Sequence, residues 1–211
     1  MLSATSSKKN QLFSNRFQPF SFSSVFIIKP PKLRKTFYNQ SDQVLVDKCL
    51  SGDAQAQQEL YEKYVQAMYN VSVRMVNNSE DASDIIQEVF VKVFRNLTSF
   101  QGESTLGAWI KKITVNTTLN FLRKAKKNTT SSWEEGMDMP MEEEIDAARF
   151  SMEQIHQAIK QLPERCRVVL SLYLIEGYQH QEIASILNIT VSTSKTQYRR
   201  GRQLLQNILK E

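Results

Sequence analysis

From Asp42 onward, on both sides of an acidic stretch at 128–150, apolar residues return at steps of three or four, and few residues there would break a helix. The chain has only six Gly and five Pro, and Pro19, Pro30 and Pro31 precede residue 40. That period, with so few breakers, points to long helices and to an all-α fold. Leu60, Tyr64, Met68, Val71 and Met75 predict an amphipathic helix over about 54–76. Asn77-Asn78-Ser79 interrupts it, with Ser79 as the expected N-cap and Glu80 and Asp81 in the next first turn. A second helix, about 80–99, turns Ile86, Val89, Phe90, Val93, Phe94 and Leu97 inward. After a loop at Gln101-Gly102-Glu103-Ser104, a third, about 105–126, buries Leu106, Ile110, Ile113, Thr117 and Phe121. Three long helices joined by short loops make a compact helical domain.

The periodicity stops over residues 128–150. There Glu134, Glu135, Asp138, Glu142, Glu143, Glu144 and Asp146 face one base, Arg149, which is the composition of a flexible acidic linker. Residues 151–211 hold four shorter helical stretches, the last about 191–209. Residues 1–40 carry seven Lys or Arg and no acid, and are expected to be a basic, disordered extension. The expected organisation is therefore extension (1–40), helical domain (41–127), acidic linker (128–150) and helical domain (151–211).

The composition narrows the function classes. Lys and Arg outnumber Asp and Glu by 27 to 22, a net charge of +5 that is compatible with nucleic acid. Cys49 and Cys166 lie in separate apolar-periodic runs with no C-x-x-C pair, and read as reduced thiols of a cytosolic protein. His156 and His180 have no Cys at ligand spacing, so no metal site is expected. No run of about 18 apolar residues occurs, which argues against a membrane span. No Ser-His-Asp set, carboxylate pair or Gly-rich phosphate loop is visible, so neither catalysis nor a cofactor is expected.

Two basic segments carry the chemistry, one without an acid over 108–127 and one without an acid between Glu182 and Glu211. In Gln179 to Leu205, QHQEIASILNITVSTSKTQYRRGRQLL, a helix with Ile183, Ala184 and Leu187 meets a second one across Asn188-Ile189-Thr190. This is helix-turn-helix spacing: Ala184 is small enough for the helix crossing, and Asn188 tolerates the positive φ of the turn. Tyr198, Leu205 and Ile208 face inward, while Ser192, Lys195, Arg199 and Arg202 take the opposite face, as a major-groove helix requires. Ser194 is a misfit in a slot that is usually apolar. In the first domain, Lys112, Asn116, Asn120 and Arg123 share a helical face beside Phe100 and Trp109. Cations, amides and rings together suit single-stranded or distorted DNA. A third face, with Asp84, Gln87, Glu88, Lys92 and Arg95 opposite the apolar stripe of 80–99, reads on its own as a solvated polar surface.

The run DASDIIQEVFVKVFRNLTSFQGESTLGAWIKKITVNTTLNFLRK (81–124) resembles region 2 of the extracytoplasmic-function (ECF) sigma factors. The run LPERCRVVLSLYLIEGYQHQEIASILNIT (162–190) resembles their region 4. The resemblance covers about 42–211 and implies two helical domains and a role in transcription initiation with core RNA polymerase. It implies that Asp84, Ile85, Gln87, Glu88 and Lys92 dock on the clamp helices of the largest polymerase subunit. Trp109, Lys112, Asn116, Asn120, Arg123 and Lys124 match the surface that opens and reads the −10 element of promoter DNA. Ser192, Thr193, Lys195, Thr196, Gln197, Arg199, Arg200 and Arg202 match the reader of the duplex −35 element. Members of the family are often held by an anti-sigma factor. The rival reading is a helix-turn-helix regulator that binds duplex DNA without polymerase; it accounts for 179–205 and leaves 81–124 unexplained.

Overall fold

The computed structural model describes residues 40–126 and 150–210, and the regular elements among them are all helical. The expectations for the basic extension and the acidic linker fall outside the described residues, apart from Gln40 and Phe150. The first unit comprises α1 (Gln40–Leu50), α2 (Ala54–Val76), α3 (Ser79–Asn96) and α4 (Leu106–Lys126). The second comprises α5 (Met152–Gln161), α6 (Glu164–Leu170), α7 (His180–Leu187) and α8 (Val191–Lys210), with α6 running on as a π-helical turn, Ser171–Ile175.

Local chemistry sets the helix ends. The Asp53 carboxylate caps α2 by accepting from the N–H groups of Gln55 and Ala56. At the other end Asn77 adopts φ 60°, the left-handed conformation that stops the helix. The cap of α3 is Asn78, not Ser79 as the sequence suggests. Asn78 is extended (φ −141°), and its side chain accepts from the N–H groups of Glu80 and Asp81. Ser79 is already the first residue of the helix, whereas Asn78 before it has the extended backbone a cap needs.

Helices α2, α3 and α4 pack around a core that includes Leu60, Ile85, Val89, Val93, Leu106 and Ile110. Phe94, Ile113 and Phe121, expected inside, are only partly buried at its rim. Between α2 and α4 the Thr118 hydroxyl donates to Thr114 O, so it accepts from Ser72, 3.0 Å away in the buried interface. At the entrance, Lys63 pairs with the buried Asp42 at 2.6 Å and ties α1 to α2. A separate core of the second unit gathers Ile155, Ile159, Leu162, Leu170 and Leu205. Gly201 lets α8 cross α6 closely, since a Cβ there would lie 3.1 Å from that of Cys166. Cys49 and Cys166 are both buried and unbridged.

The third core belongs to both units. Val71 and Met75 of α2 and Val115, Leu119 and Leu122 of α4 pack with Val168, Val169, Leu172, Ile183 and Leu187 of the second unit. Helix α4 is therefore buried on two sides, where its sequence stripe predicts one. Polar contacts accompany this core: the buried Arg167 donates to Met75 O and Leu162 O, and the Asn77 amide donates to Lys160 O. Burial pushes the Arg167 guanidinium below its ordinary range.

Candidate nucleic-acid interfaces

The helix-turn-helix is built from α7, Asn188-Ile189-Thr190 and α8. Asn188 takes φ 56°, the conformation its place in the turn requires, and Ile189 N–H closes back on Ala184 O at 3.0 Å. The Thr190 hydroxyl oxygen accepts from Thr193 N–H and so caps α8. Along α8, Ser192, Lys195, Arg199 and Arg200 are exposed, and Thr196 and Arg202 are half-buried. Thr193 and Gln197 are buried, which corrects their expected place on the DNA face. They belong with Ser194, Gly201 and Leu205 to the inward stripe. Thr193 is spent on Thr190, and the Gln197 carbonyl accepts the Cys166 S–H at 3.3 Å.

Ser194, the misfit of the sequence, is wholly buried and meets His180 Nδ1 at 2.9 Å. The His180 ring stacks on Tyr173 at 4.3 Å and meets Tyr198 edge-on. A polar group in an apolar slot is stable when it has a hydrogen-bond partner there. Here the partner is the first residue of α7, so the pair joins the two helices of the motif. Burial, and then Lys195 and Arg199, hold the His180 imidazole below its usual pKa and favour the neutral ring.

On α4, Lys112, Asn116, Asn120, Arg123 and Lys124 are exposed along one face, and Trp109 is half-buried with its ring 5.7 Å from that of Phe100. Arg123 donates to Asn120 Oδ1 and, across to the second unit, to Ile186 O at 2.8 Å. A cleft of about 900 Å³ separates Trp109, Lys112 and Asn116 from Glu176, Glu182 and Ser185. Lys111 turns away from this face: its ammonium donates to Glu176 O at 3.1 Å and lies over the Tyr178 ring. On α3, Asp84, Gln87 and Glu88 are exposed, and Lys92 pairs with Glu88 at 2.6 Å while donating to Thr117. Ile85 is 1% exposed and faces the core, so the structure removes it from the expected polymerase face. No described helix is long and apolar enough to cross a membrane.

The Sigma-70 region 2 family matches residues 60–128, and the Sigma-70 region 4 family matches residues 152–205. The RNA polymerase sigma-H factor of Pseudomonas aeruginosa is 30% identical over 188 residues, covering 81% of this chain and 94% of the relative. The ECF RNA polymerase sigma-E factor of Escherichia coli K12 is 30% identical, covering 79% and 93%. SigW of Bacillus subtilis, also an ECF RNA polymerase sigma factor, is 33% identical, covering 76% and 92%. The chain belongs to the ECF sigma factors. RpoE of Bartonella quintana, solved with the anti-sigma factor NepR, has the same fold, with a TM-score of 0.50 at 20% identity over 72% of this chain and 96% of that one.

In this ECF sigma factor one match takes in most of α2 with α3 and α4 of the first unit, and the other runs from α5 through most of α8 in the second. Lys111 is visible in the sequence only as one cation of the basic run 108–127; that it meets Glu176, as Arg74 does, is marked by no local pattern, because the partners lie so far apart. The His180–Ser194 pair had one signal, the polar residue in an apolar slot.

Proposed function

We propose that this ECF sigma factor directs core RNA polymerase to promoters, reading a duplex −35 element with α8 and capturing the opened −10 strand with α4. The observation that carries the reading is two cation-bearing, acid-free helical faces, one on each unit, in a chain of this family. Helix α8 offers Ser192, Lys195 and Thr196 to base edges in its first turns, and Arg199, Arg200 and Arg202 to phosphates. On α4, Trp109 supplies a ring, Lys112, Arg123 and Lys124 the charge, and Asn116 and Asn120 the amide donors that suit unstacked bases. Unstacking costs a few kcal/mol per base, and stacking on a ring returns about 1–3 kcal/mol, so capture needs further grip from polymerase.

That grip comes through α3, with Asp84, Gln87, Glu88 and Lys92 against the clamp helices of the largest subunit. The sigma factor makes and breaks no covalent bond; the phosphodiester chemistry belongs to the polymerase, and both act in the cytoplasm. An anti-sigma factor belongs to the same reading as a third partner. A regulator confined to duplex DNA would leave the polar α3 face and the α4 face without a task. The test is runoff transcription with cognate core enzyme on a library of genomic fragments. Start-site selection that depends on this chain is expected, and Asp84→Arg should abolish it along with core binding while sparing the fold. Initiation unchanged by adding the chain overturns the reading.

A further inference from the structure

Ser194 fills a helix-turn-helix slot that is usually apolar, and it is wholly buried, so it meets no DNA itself. Its hydroxyl lies 2.9 Å from His180 Nδ1. A serine hydroxyl both donates and accepts: it gives its proton to a bare Nδ1 and accepts from an Nδ1–H. The bond that joins α7 to α8 therefore survives either charge state of the ring. A valine in that slot would leave both states without a partner.

The ring stands where a bound duplex changes its surroundings. His180 is half-buried at the first position of α7, and Tyr173 of the π-helical turn stacks on it at 4.3 Å. From α8 it meets Ser194 and Tyr198, whose chain neighbours Lys195 and Arg199 are exposed on the −35 face. Burial keeps the Tyr198 phenol above its usual pKa and therefore neutral. On the ring's own helix, the Glu182 carboxylate accepts from Gln179 N–H at 2.7 Å. Burial first, and then Lys195 and Arg199, oppose a proton on His180.

Those two cations are the ones that a duplex neutralises. A recognition helix lies in the groove while the helix before it crosses the backbone, so phosphates approach both α8 and α7. A phosphate paired with Lys195 or Arg199 offsets their repulsion of the imidazolium, and one beside α7 attracts its proton. We propose that His180 takes up a proton when α8 engages duplex DNA, with Ser194 as the positioning residue that holds the ring in both charge states. The inference rests on the −35 reading proposed above. Coupling between two bound species is reciprocal, so a proton that DNA favours strengthens DNA binding in return. Affinity rises as pH falls through the higher, DNA-bound pKa of His180, and the gain is complete below the lower, free value. Helix α8 thus grips promoters more firmly in an acidified cell.

The test is fluorescence anisotropy of the full-length chain with a random pool of duplexes of about 20 base pairs at low, constant ionic strength. It runs from pH 8 to pH 5.5, with circular dichroism showing the helices intact throughout. Wild-type affinity should be flat above about pH 7.5 and rise about three- to tenfold by pH 5.5. His180→Gln should be flat over the whole range, and His156→Gln should keep the wild-type rise. Thr and Val have nearly the same shape, so Ser194→Thr and Ser194→Val differ essentially in the hydroxyl. Ser194→Thr should keep the rise and Ser194→Val lose it, because a buried imidazolium N–H then has no acceptor. His180→Gln decides alone if the Ser194 variants do not fold. A rise that persists in His180→Gln, or that is as large in Ser194→Val as in Ser194→Thr, overturns the proposal. A wild type that binds duplex equally at every pH overturns it too and leaves the −35 reading standing. No duplex binding at any pH would instead strike the −35 reading, and this inference with it.

Discussion

At the scale of single residues, helix periodicity assigns a face and burial decides its edges. Ile85, Thr193 and Gln197 lie next to exposed functional positions in sequence, and each turns inward because its neighbours at steps of three and four are core residues. Ser194 shows the converse, a polar residue that belongs inside because the half-buried His180 partners it there. Its partner carries a pH dependence. Burial first, then Lys195 and Arg199, lower the His180 pKa below its ordinary 6.5, and burial with Arg74 lowers that of His156. The unfolded chain takes up protons near pH 6.5 while the folded one stays neutral to lower pH. Stability from these rings is thus complete above pH 6.5 and is lost as pH falls through the depressed folded values. Urea midpoints should be flat from pH 8 to 7 and decline from 6.5 to 5, above the range where carboxylates protonate. The His156→Gln/His180→Gln double variant should lose that decline, and an unchanged slope would exclude the two histidines as its source.

At the scale of elements, caps and faces make separable claims. Asn78→Ala should cost about 1 kcal/mol in urea unfolding, whereas Ser79→Ala should cost a few tenths at most, because the cap sits one residue earlier than the Ser suggests. Equal losses from the two would return the cap to Ser79. On α8, Arg199→Ala should lower affinity for a −35 duplex and flatten the slope of log affinity against log salt by about one, if its guanidinium meets a phosphate. A relaxed preference at one base pair with an unchanged slope would mean that Arg199 reads a base edge instead. The α4 face differs in kind: it pairs Trp109 and Phe100 with cations and amides, which suits flipped-out bases better than a duplex groove.

The whole molecule is held by the core that α2 and α4 share with α6 and α7. Leu172 is fully buried in it, so Leu172→Ala should destabilise by about 2–5 kcal/mol. Because the two units bury this surface on each other, they should unfold in one thermal transition, with helix loss and Trp fluorescence coincident. Two resolved transitions would show that the shared core is too weak to couple them. The long-range ion pairs matter less for stability than for arrangement, since they select which faces meet.

Local rules carried much of this protein. Apolar period, scarcity of Gly and Pro, and the Asn188 turn specify the helices and the helix-turn-helix, because each depends on residues within one or two turns. The gathering of cations on α4 and α8 was legible for the same reason. What the tertiary structure alone decided is the second buried side of α4, through Val115, Leu119 and Leu122, and the meeting of Arg74 with Glu176 across 102 positions. A stripe in a sequence says that a face is buried and leaves its partner unstated. Which surface covers it, and which carboxylate reaches which cation, depends on how whole helices pack.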